Sequence, residues 1–224
     1  FNSLPDFDSL SRVNAAKPEK PVETKTDDVT DEKGKTIHYA GEHVTTGGES
    51  NAIYFDGDAT LELQTEGNGN FQINDKIASN HNSTNNRLVQ NGTVYYNNDM
   101  SGYNGTFELQ SGVAHFNVAG GPTTFGSEIN RADYIMHGGA TLDVVNGRAN
   151  AIYANNLDLS HTSVNNPFNM MVDMDLTNEI ADHFNVTNST SGHILVNNIN
   201  DFFSTLQSIV GNIKDNSTNL DNVV

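Results

Sequence analysis

Apolar and polar residues alternate in short stretches through most of the chain beyond about residue 38. In ATLELQT (59–65), Leu61 and Leu63 fall on one face, and in GTFELQS (105–111), Phe107 and Leu109 do the same. Alternation with a period of two residues is typical of strands that bury one face. It therefore predicts an all-β fold of many short strands. The pattern recurs in NFQIN (70–74), ATLDVVNG (140–147), MVDMDLT (171–177), DHFNVTN (182–188) and GHILVNNI (192–199).

The spacing of these strands bears on how they are arranged. Successive strand-like segments begin at Gly92, Gly105 and Gly112. A β-sandwich can have similar spacing. However, repeated units of Gly, Thr and alternating apolar residues, with Asn at the corners, favour a right-handed parallel β-helix, or β-solenoid. In that fold each coil stacks on the next and the inward side chains form columns. We expect such a β-solenoid domain over residues 38–199.

The two ends of the chain differ from this region. Residues 1–37 are rich in charge and Pro, which predicts a flexible or weakly docked N-terminal segment. Residues 200–224 are predicted to form an amphipathic helix and tail, with Asn200 or Asp201 as the N-cap. Its apolar residues at helical spacing are Phe202, Phe203, Leu206, Ile209, Val210 and Ile213.

The predicted C-terminal helix has two interpretations. It is expected to cap the open end of the stack and so to shield the last coil from edge pairing. Alternatively, it binds a partner or lies on a membrane surface. The single Lys214 argues against an anionic membrane.

Composition excludes several classes of function. The sequence has 28 acidic and 11 basic residues and a net charge of −17, so a nucleic-acid partner is disfavoured. It has no cysteine, which excludes disulfides, thiolate metal sites and cysteine nucleophiles. No apolar run is long enough to span a membrane as a helix, so no membrane insertion is expected of this part. Because it begins at Phe1, we expect a mature or cut-out fragment.

One segment, NNDMSGYNGTFELQSG (97–112), has the spacing of a calcium loop. Asn97, Asp99 and Ser101 alternate, and Glu108 is the twelfth residue. A helix–loop–helix calcium site needs an acidic first ligand and an apolar eighth residue, and these positions hold Asn97 and Asn104. The flanking residues have strand patterns. The segment is therefore predicted to be a corner, and no metal or cofactor is expected.

Other polar residues give no catalytic pattern. The pairs Asp56 with Asp58 and Asp173 with Asp175 are predicted to solubilise exposed strand faces, and weak binding of calcium at such surface carboxylates stays open. No metalloprotease HExxH motif and no GxSxG nucleophile elbow are present. A polysaccharide-cleaving groove would need carboxylates beside basic residues, but nothing singles out its candidates. Those candidates are Arg131, Asp133, Asp143 and Arg148, and we expect no enzyme.

Several segments together resemble a known family. INDKIASN (73–80), GTVYYNNDMSGYNGTFELQSG (92–112), GGATLDVVNG (138–147) and DMDLTNEIADHFNVTNSTSGHILVNNIN (173–200) occur in an order similar to the passenger region of autotransporter-type surface proteins of Gram-negative bacteria, the pertactin-like β-helix group. The last segment is the most specific. Its features fall on Asp173, Asp175, Ala181, Asp182, Phe184, Val186 and Gly192.

The resemblance implies an extracellular β-helix, commonly an adhesin or stalk, without shared catalytic residues. Anchoring at the outer membrane would require a region that this sequence does not hold. The expected function is that of a non-catalytic surface protein whose partner is a host or cell-surface protein or a glycan.

Two alternatives remain open at the level of sequence. The first is a glycan-binding or polysaccharide-degrading β-helix, with Tyr95, Tyr96 and Tyr103 as the aromatic residues to test. The second is a self-assembling fibre or layer subunit, in which the N-terminal segment adds to a neighbour's sheet edge.

Overall fold

A computed structural model describes residues 13–14, 24–31, 34–45, 52–55, 57–80, 85–118 and 124–201. Its regular elements are all strands, and no helix occurs among these described residues. The predicted all-β class is confirmed.

The strands belong to a 14-stranded, mostly parallel sheet and a small three-stranded sheet. In sequence order they are β1 (Val13–Asn14), β2 (Thr24–Asp31), β3 (Gly34–Thr45), β4 (Ala52–Phe55), β5 (Ala59–Ile73), β6 (Lys76–Ser79), β7 (Arg87–Asn91), β8 (Thr93–Tyr96), β9 (Thr106–Ser111), β10 (Val113–His115), β11 (Ala132–Met136), β12 (Thr141–Asp143), β13 (Ala151–Asp158), β14 (Phe168–Asp175), β15 (Ile180–Ala181), β16 (His183–Ser189) and β17 (Ile194–Asp201).

The large sheet contains two parallel ladders that share the long strand β5. The first ladder runs β5, β7, β9, β11, β13 and β16. The second runs β5, β8, β10, β12, β14 and β17. Strand β3 pairs in parallel with both halves of β5 and so begins both ladders.

The core consists of side chains in register along these ladders. The alternation of apolar residues places every second side chain inward, and parallel pairing stacks equivalent positions. None of the residues in the two columns below is more than 1% exposed. One column contains Leu61, Leu88, Phe107, Tyr134 and Leu157, and the other contains Phe71, Val94, Ala114, Leu142 and Met170.

An aromatic cluster fills the middle of the core. The rings of Tyr96 and Phe116 stack with centroids 4.6 Å apart, and Phe125 lies 4.8 Å from Phe107. Buried phenols need hydrogen-bond partners, and these have them. The Tyr96 hydroxyl donates to Gln90 Oε1 at 2.9 Å, and the Tyr134 hydroxyl donates to the Phe125 carbonyl at 2.6 Å.

Antiparallel strands lie at the N-terminal edges of both sheets. β2 pairs with β3 along its whole length, and β1 pairs with β4, which in turn pairs in parallel with β6. β1, β2 and the start of β3 fall within residues 1–37. The division of the sequence at residues 37 and 199 stays a prediction.

The predicted C-terminal helix is not seen. Asn200 and Asp201, the predicted N-cap residues, instead end strand β17. The physical reason is that this segment pairs with β14, so its backbone groups are used in a parallel ladder. The remainder of the predicted helix, residues 202–224, lies outside the described residues.

Candidate functional site

The most concentrated polar cluster on the outer face of the first ladder surrounds Glu108 of β9. This residue is only 5% exposed although it points away from the core columns. Its carboxylate accepts a hydrogen bond from the Arg87 guanidinium and another from Gln110 Nε2 at 2.9 Å. Its Oε1 also lies 3.0 Å from Nε2 of His137. Glu108 thus connects β7, β9 and the segment after β11.

A second histidine extends this cluster. The rings of His137 and His161 stack with centroids 4.3 Å apart and planes inclined by 4°. Partial burial lowers the pKa of His137, and the charge of His161 lowers it further, whereas Asp158 acts in the opposite direction. We name Arg87, Glu108, Gln110, His137 and His161 the outer cluster.

On the second ladder, one outer column carries a tyrosine, a histidine and an aspartate in register. Tyr95 stacks on His115 with ring centroids 4.1 Å apart. His115 Nδ1 lies 2.6 Å from Oδ2 of Asp143, whose Oδ1 accepts the N–H of Val145 at 3.1 Å. The arrangement holds the imidazole between Tyr95 and Asp143 and connects β8, β10 and β12.

Two fully buried aspartates hold the segment that joins β12 to β13. Asp173 Oδ2 accepts the N–H groups of Asn146, Gly147 and Arg148 at 2.6, 2.6 and 3.2 Å. Asp182 Oδ1 accepts the N–H of Asn150 at 2.7 Å. We name Asp173, Asp182 and residues 146–150 the aspartate corner.

The two aspartates of this corner are also linked to each other through their backbone groups. Asp182 Oδ2 accepts the N–H of Asp173 at 2.7 Å, and the N–H of Asp182 donates to the Asp173 carbonyl at 2.9 Å. Burial raises the pKa of Asp182 to about 7, and the charges of Asp173 and Asp143 add to the rise. Two backbone hydrogen bonds act against it by favouring the ionised form.

The prediction that Asp173 and Asp175 solubilise an exposed strand face is wrong. Asp173 is 0% exposed and Asp175 is 3% exposed. Asp175 Oδ1 accepts the N–H groups of Thr177 and Asn178 at 2.9 and 3.1 Å and so closes the turn before β15. Both carboxylates replace backbone acceptors that the neighbouring turns lack.

The segment with calcium-like spacing distributes its polar residues among separate contacts. Asn97 Nδ2 donates to Gln72 Oε1 at 2.8 Å and to Asn74 Oδ1 at 2.9 Å. Asp99 Oδ1 accepts the N–H of Ser101 at 2.9 Å, while Glu108 belongs to the outer cluster. Within the described residues, no group of three or more His, Asp or Glu side chains is placed to hold a metal ion.

The tyrosines considered as glycan platforms lie in different environments. Tyr96 and Tyr103 are 0% exposed and belong to the aromatic cluster, so neither can present a ring face to a sugar. Tyr95 is half-buried against His115. Their alternation in sequence does not distinguish a core ring from a surface ring, because large aromatic residues serve both purposes.

The structure does not bring together the residues considered for polysaccharide cleavage. Arg131 Nη1 donates to Asn185 Oδ1 at 2.9 Å, and Asp133 Oδ1 accepts from Asn156 Nδ2 at 2.7 Å on the first ladder. Asp143 lies on the second ladder, paired with His115. The side chains of His38, His43, Asp56 and His81 lie outside the described residues.

Sequence reasoning missed a polar groove between the two ladders. Gln64 pairs with Asn91 and Asn70 with Thr93, so residues 65–69 of β5 stand opposite the single Gly92. Residues of this excursion line a groove of about 800 Å³. Its lining is neutral: Gln64, Thr65, Gly67, Asn68, Gly69, Asn91, Gly92, Thr93, Ser111 and Gly112. The run EGNGN (66–70) inside a strand pattern was the available signal.

Glycine forms the floor of this groove for a steric reason. Gly92 and Gly112 have φ angles of 99° and 78°. A Cβ on Gly112 would lie 2.2 Å from the Gly92 carbonyl oxygen, and one on Gly92 would lie 1.8 Å from Thr65 Oγ1. We name Thr65, Gly92 and Gly112, with the buried Gln90 beneath them, the glycine corner.

Fold and site together define an all-β protein with a large, mostly parallel sheet and polar clusters bonded within the protein itself. No family model, curated protein or solved structure matches it. In the part of the sequence that the structure describes, no helix has the length and apolarity to cross a membrane.

Proposed function

We propose that this protein is the β-helical passenger-type region of an extracellular surface protein of a Gram-negative bacterium. It acts without catalysis, as an adhesin-like or structural element. Its partner is a host or cell-surface protein or a glycan, and its anchor at the outer membrane lies in a region that this sequence does not hold. No nucleic acid and no membrane insertion form part of the proposal.

The observation that carries the proposal is the pair of parallel ladders that share β5. Because consecutive strands alternate between the ladders, each circuit of the backbone adds one strand to both. A right-handed parallel β-helix is the architecture that best accounts for this order. Such a fold supplies an elongated surface of outward side chains on a rigid core, which suits display and spacing.

The chemistry of the buried carboxylates supports a non-catalytic role. Glu108, Asp143, Asp173 and Asp182 each accept hydrogen bonds from groups of the protein itself. Catalytic carboxylates are instead arranged around space for a substrate. In this protein the same residue types hold successive strands in register.

The resemblance to autotransporter passengers gains a physical meaning from the aspartate corner. Asp173 accepts the N–H groups of residues 146–148, and Asp182 accepts those of Asn150 and Asp173. Both aspartates are among the residues on which the resemblance rests. In the proposed β-helix, these motif residues therefore close the turn formed by residues 146–150. This supports the proposed fold, and through the fold the surface role.

At the C-terminal end, apolar residues of the last two strands are incompletely covered. Val186, Ile194 and Val196 pack against the core but are only partly buried, and Leu195 is 49% exposed. β17, one of the two strands that carry this surface, ends at Asp201, directly before residues 202–224 in the sequence. We propose that they cap it. The second candidate, a self-assembling subunit, is favoured by the same edge, since a neighbouring molecule could cover it instead.

Localisation is the direct test of the proposed function. Antibodies raised against the purified protein should label intact source cells, and protease added outside the cells should remove the label. A periplasmic protein followed in parallel controls for leakage. Labelling that appears only after lysis would overturn the extracellular assignment.

A further inference from the structure

Four Asn–Gly pairs occur in the described part of the sequence, beginning at Asn68, Asn91, Asn104 and Asn146. In such a pair the glycine nitrogen can attack the amide carbon of the asparagine side chain with little steric hindrance, because glycine has no Cβ. The attack requires an asparagine side chain that can rotate toward this nitrogen. The folded structure therefore determines which of the four pairs can react.

The pair at Asn91 is held on both of its reacting groups. Asn91 Nδ2 donates to Gln110 Oε1 at 3.0 Å, which fixes the side-chain amide. The N–H of Gly92 donates to the Ser111 carbonyl at 3.1 Å, which engages the nitrogen that would attack.

The pairs at Asn104 and Asn146 are restrained in a similar way. Asn104 Oδ1 accepts the Ser79 hydroxyl. Asn146 Oδ1 accepts the N–H two residues further on at 3.0 Å. The N–H of Gly147 donates to Asp173 Oδ2 at 2.6 Å, so the nitrogen of this pair is engaged as well.

Asn68 differs from the other three. It is exposed on the excursion 65–69, and among the described residues its side-chain amide has no hydrogen-bond partner. Gly67, directly before it, has a φ of 57°, and a Cβ there would meet nothing within 4 Å. Residues 66–69 have no paired partner in β3, β7 or β8 and form a bulge of β5 between the paired residues Thr65 and Asn70, in which Asn68 is exposed and Gly69 is buried.

We propose that Asn68 is a site of spontaneous deamidation and isoaspartate formation in the folded protein. The Gly69 nitrogen loses its proton and attacks Cγ of Asn68, and the side-chain amide leaves as ammonia. The resulting succinimide then adds water. Cleavage of the new Cγ–N bond gives aspartate, and cleavage of the original backbone C–N bond gives isoaspartate.

The modification changes the polar groove in a defined way. The groove has no charged side chain in its lining, and either product puts a carboxylate there. Isoaspartate also adds a methylene to the backbone of the excursion. The inference goes beyond the proposed function and does not depend on where the protein acts.

The test is a time course on the folded full-length protein at mildly alkaline pH, with peptide mapping by mass spectrometry. The Asn68 peptide should convert on the order of tenfold faster than the other three, the ratio produced by about 1.4 kcal/mol of restraint on them. Isoaspartate should be detected by enzymatic methylation of the same peptide.

Two controls make the result decisive. In urea, where all four pairs are unrestrained, their rates should converge. The Gly69→Ala variant should slow conversion at Asn68 alone, and if that variant does not fold, the comparison with urea still decides. The proposal is overturned if Asn91, Asn104 or Asn146 converts as fast as Asn68 in the folded protein. It is equally overturned if Asn68 stays intact when folded but converts in urea.

Discussion

The glycine corner and the aspartate corner, at two turns of the same sheet, satisfy opposite kinds of backbone hydrogen-bonding group. At the glycine corner the backbone presents carbonyl groups, and Gln90 Nε2 donates to the Gly92 and Val113 oxygens at 2.8 and 2.9 Å. At the aspartate corner the backbone presents N–H groups, and two carboxylates accept them. The first corner uses a neutral amide donor, and the second uses carboxylate acceptors.

This difference has consequences for steric tolerance and for pH dependence. A neutral amide does not titrate, but it lies in a corner where backbone segments approach so closely that only glycine fits. The carboxylates leave more room, since a Cβ on Gly147 would meet nothing within 4 Å. However, the burial of Asp182, which raises its pKa, makes the stability of this corner depend on pH. Close backbone packing is thus found at the glycine corner, and hydrogen bonds to a titratable side chain are found at the aspartate corner.

The largest effect is expected from Gly112→Ala in the glycine corner. The new Cβ would meet the Gly92 carbonyl at 2.2 Å and would also have to adopt a φ of 78°. Overpacking and backbone strain together should cost more than about 3 kcal/mol of unfolding free energy, measured by urea denaturation. Gly147→Ala, at a φ of 84° but in open space, is the matched control and should cost about 1 kcal/mol. Equal losses would show that close packing does not define the glycine corner.

Next in size is Asp173→Ala in the aspartate corner. It removes the acceptor of three backbone N–H groups and should lower the unfolding free energy by about 2 kcal/mol. Asp173→Asn keeps one acceptor oxygen and should lose less. Asp99→Ala, at an exposed aspartate, serves as the control. If Asp99→Ala is as harmful as Asp173→Ala, the three hydrogen bonds do not stabilise the corner.

The pH dependence of stability should separate the two corners. The pKa of Asp182 is raised from 3.8 to about 7 in the folded protein. The folded state therefore binds this proton more tightly than the unfolded state does. The resulting stabilisation is fully present below pH 3.8 and is lost as the pH rises to about 7. The slope due to this group is at most about 1.4 kcal/mol per pH unit.

Urea denaturation at a series of pH values measures this slope. Asp182→Asn should remove the decline between these two pKa values, whereas Gln90→Leu should shift the whole profile by a constant amount. A profile for Asp182→Asn that runs parallel to that of the unmodified protein would contradict the assignment of the slope to Asp182.

The smallest change in stability is expected at the edge formed by β16 and β17. A change there should mainly affect whether the protein forms oligomers. Removing residues 202–224 should expose β16 and β17 and produce oligomers in light scattering, while the full-length protein stays monomeric. Leu195→Lys in the shortened protein should restore the monomer, since a charged residue on an edge strand opposes pairing. Val164→Lys, at a residue that is 74% exposed in a turn, should not restore the monomer.

A shortened protein that retains its β-sheet circular dichroism and remains monomeric would refute the proposed cap. An oligomeric full-length protein would favour the self-assembling subunit.

Strands and their inward faces were predictable because alternation is a local property. Leu61, Leu63, Phe107 and Leu109 were expected to point inward, and all four are buried. The C-terminal helix was not predicted correctly at Asn200 and Asp201, because short apolar spacing fits a helix or a strand and pairing with β14 decided between them.

By itself, the sequence determined the all-β class, the turn-rich corners and the apolar faces, since each depends on neighbouring residues. Tertiary structure alone decided which polar residues are buried. Asp173 is buried because residues 146–148, more than twenty positions earlier in the sequence, present N–H groups to it. Distant parts of the chain likewise decided that Tyr96 and Tyr103 are buried in the core. They also decided that residues 65–69 lie opposite the single Gly92. Contacts between neighbouring strands and turns supply the partners of these residues, and the contacting residues lie too far apart in sequence for a local pattern to predict the contacts.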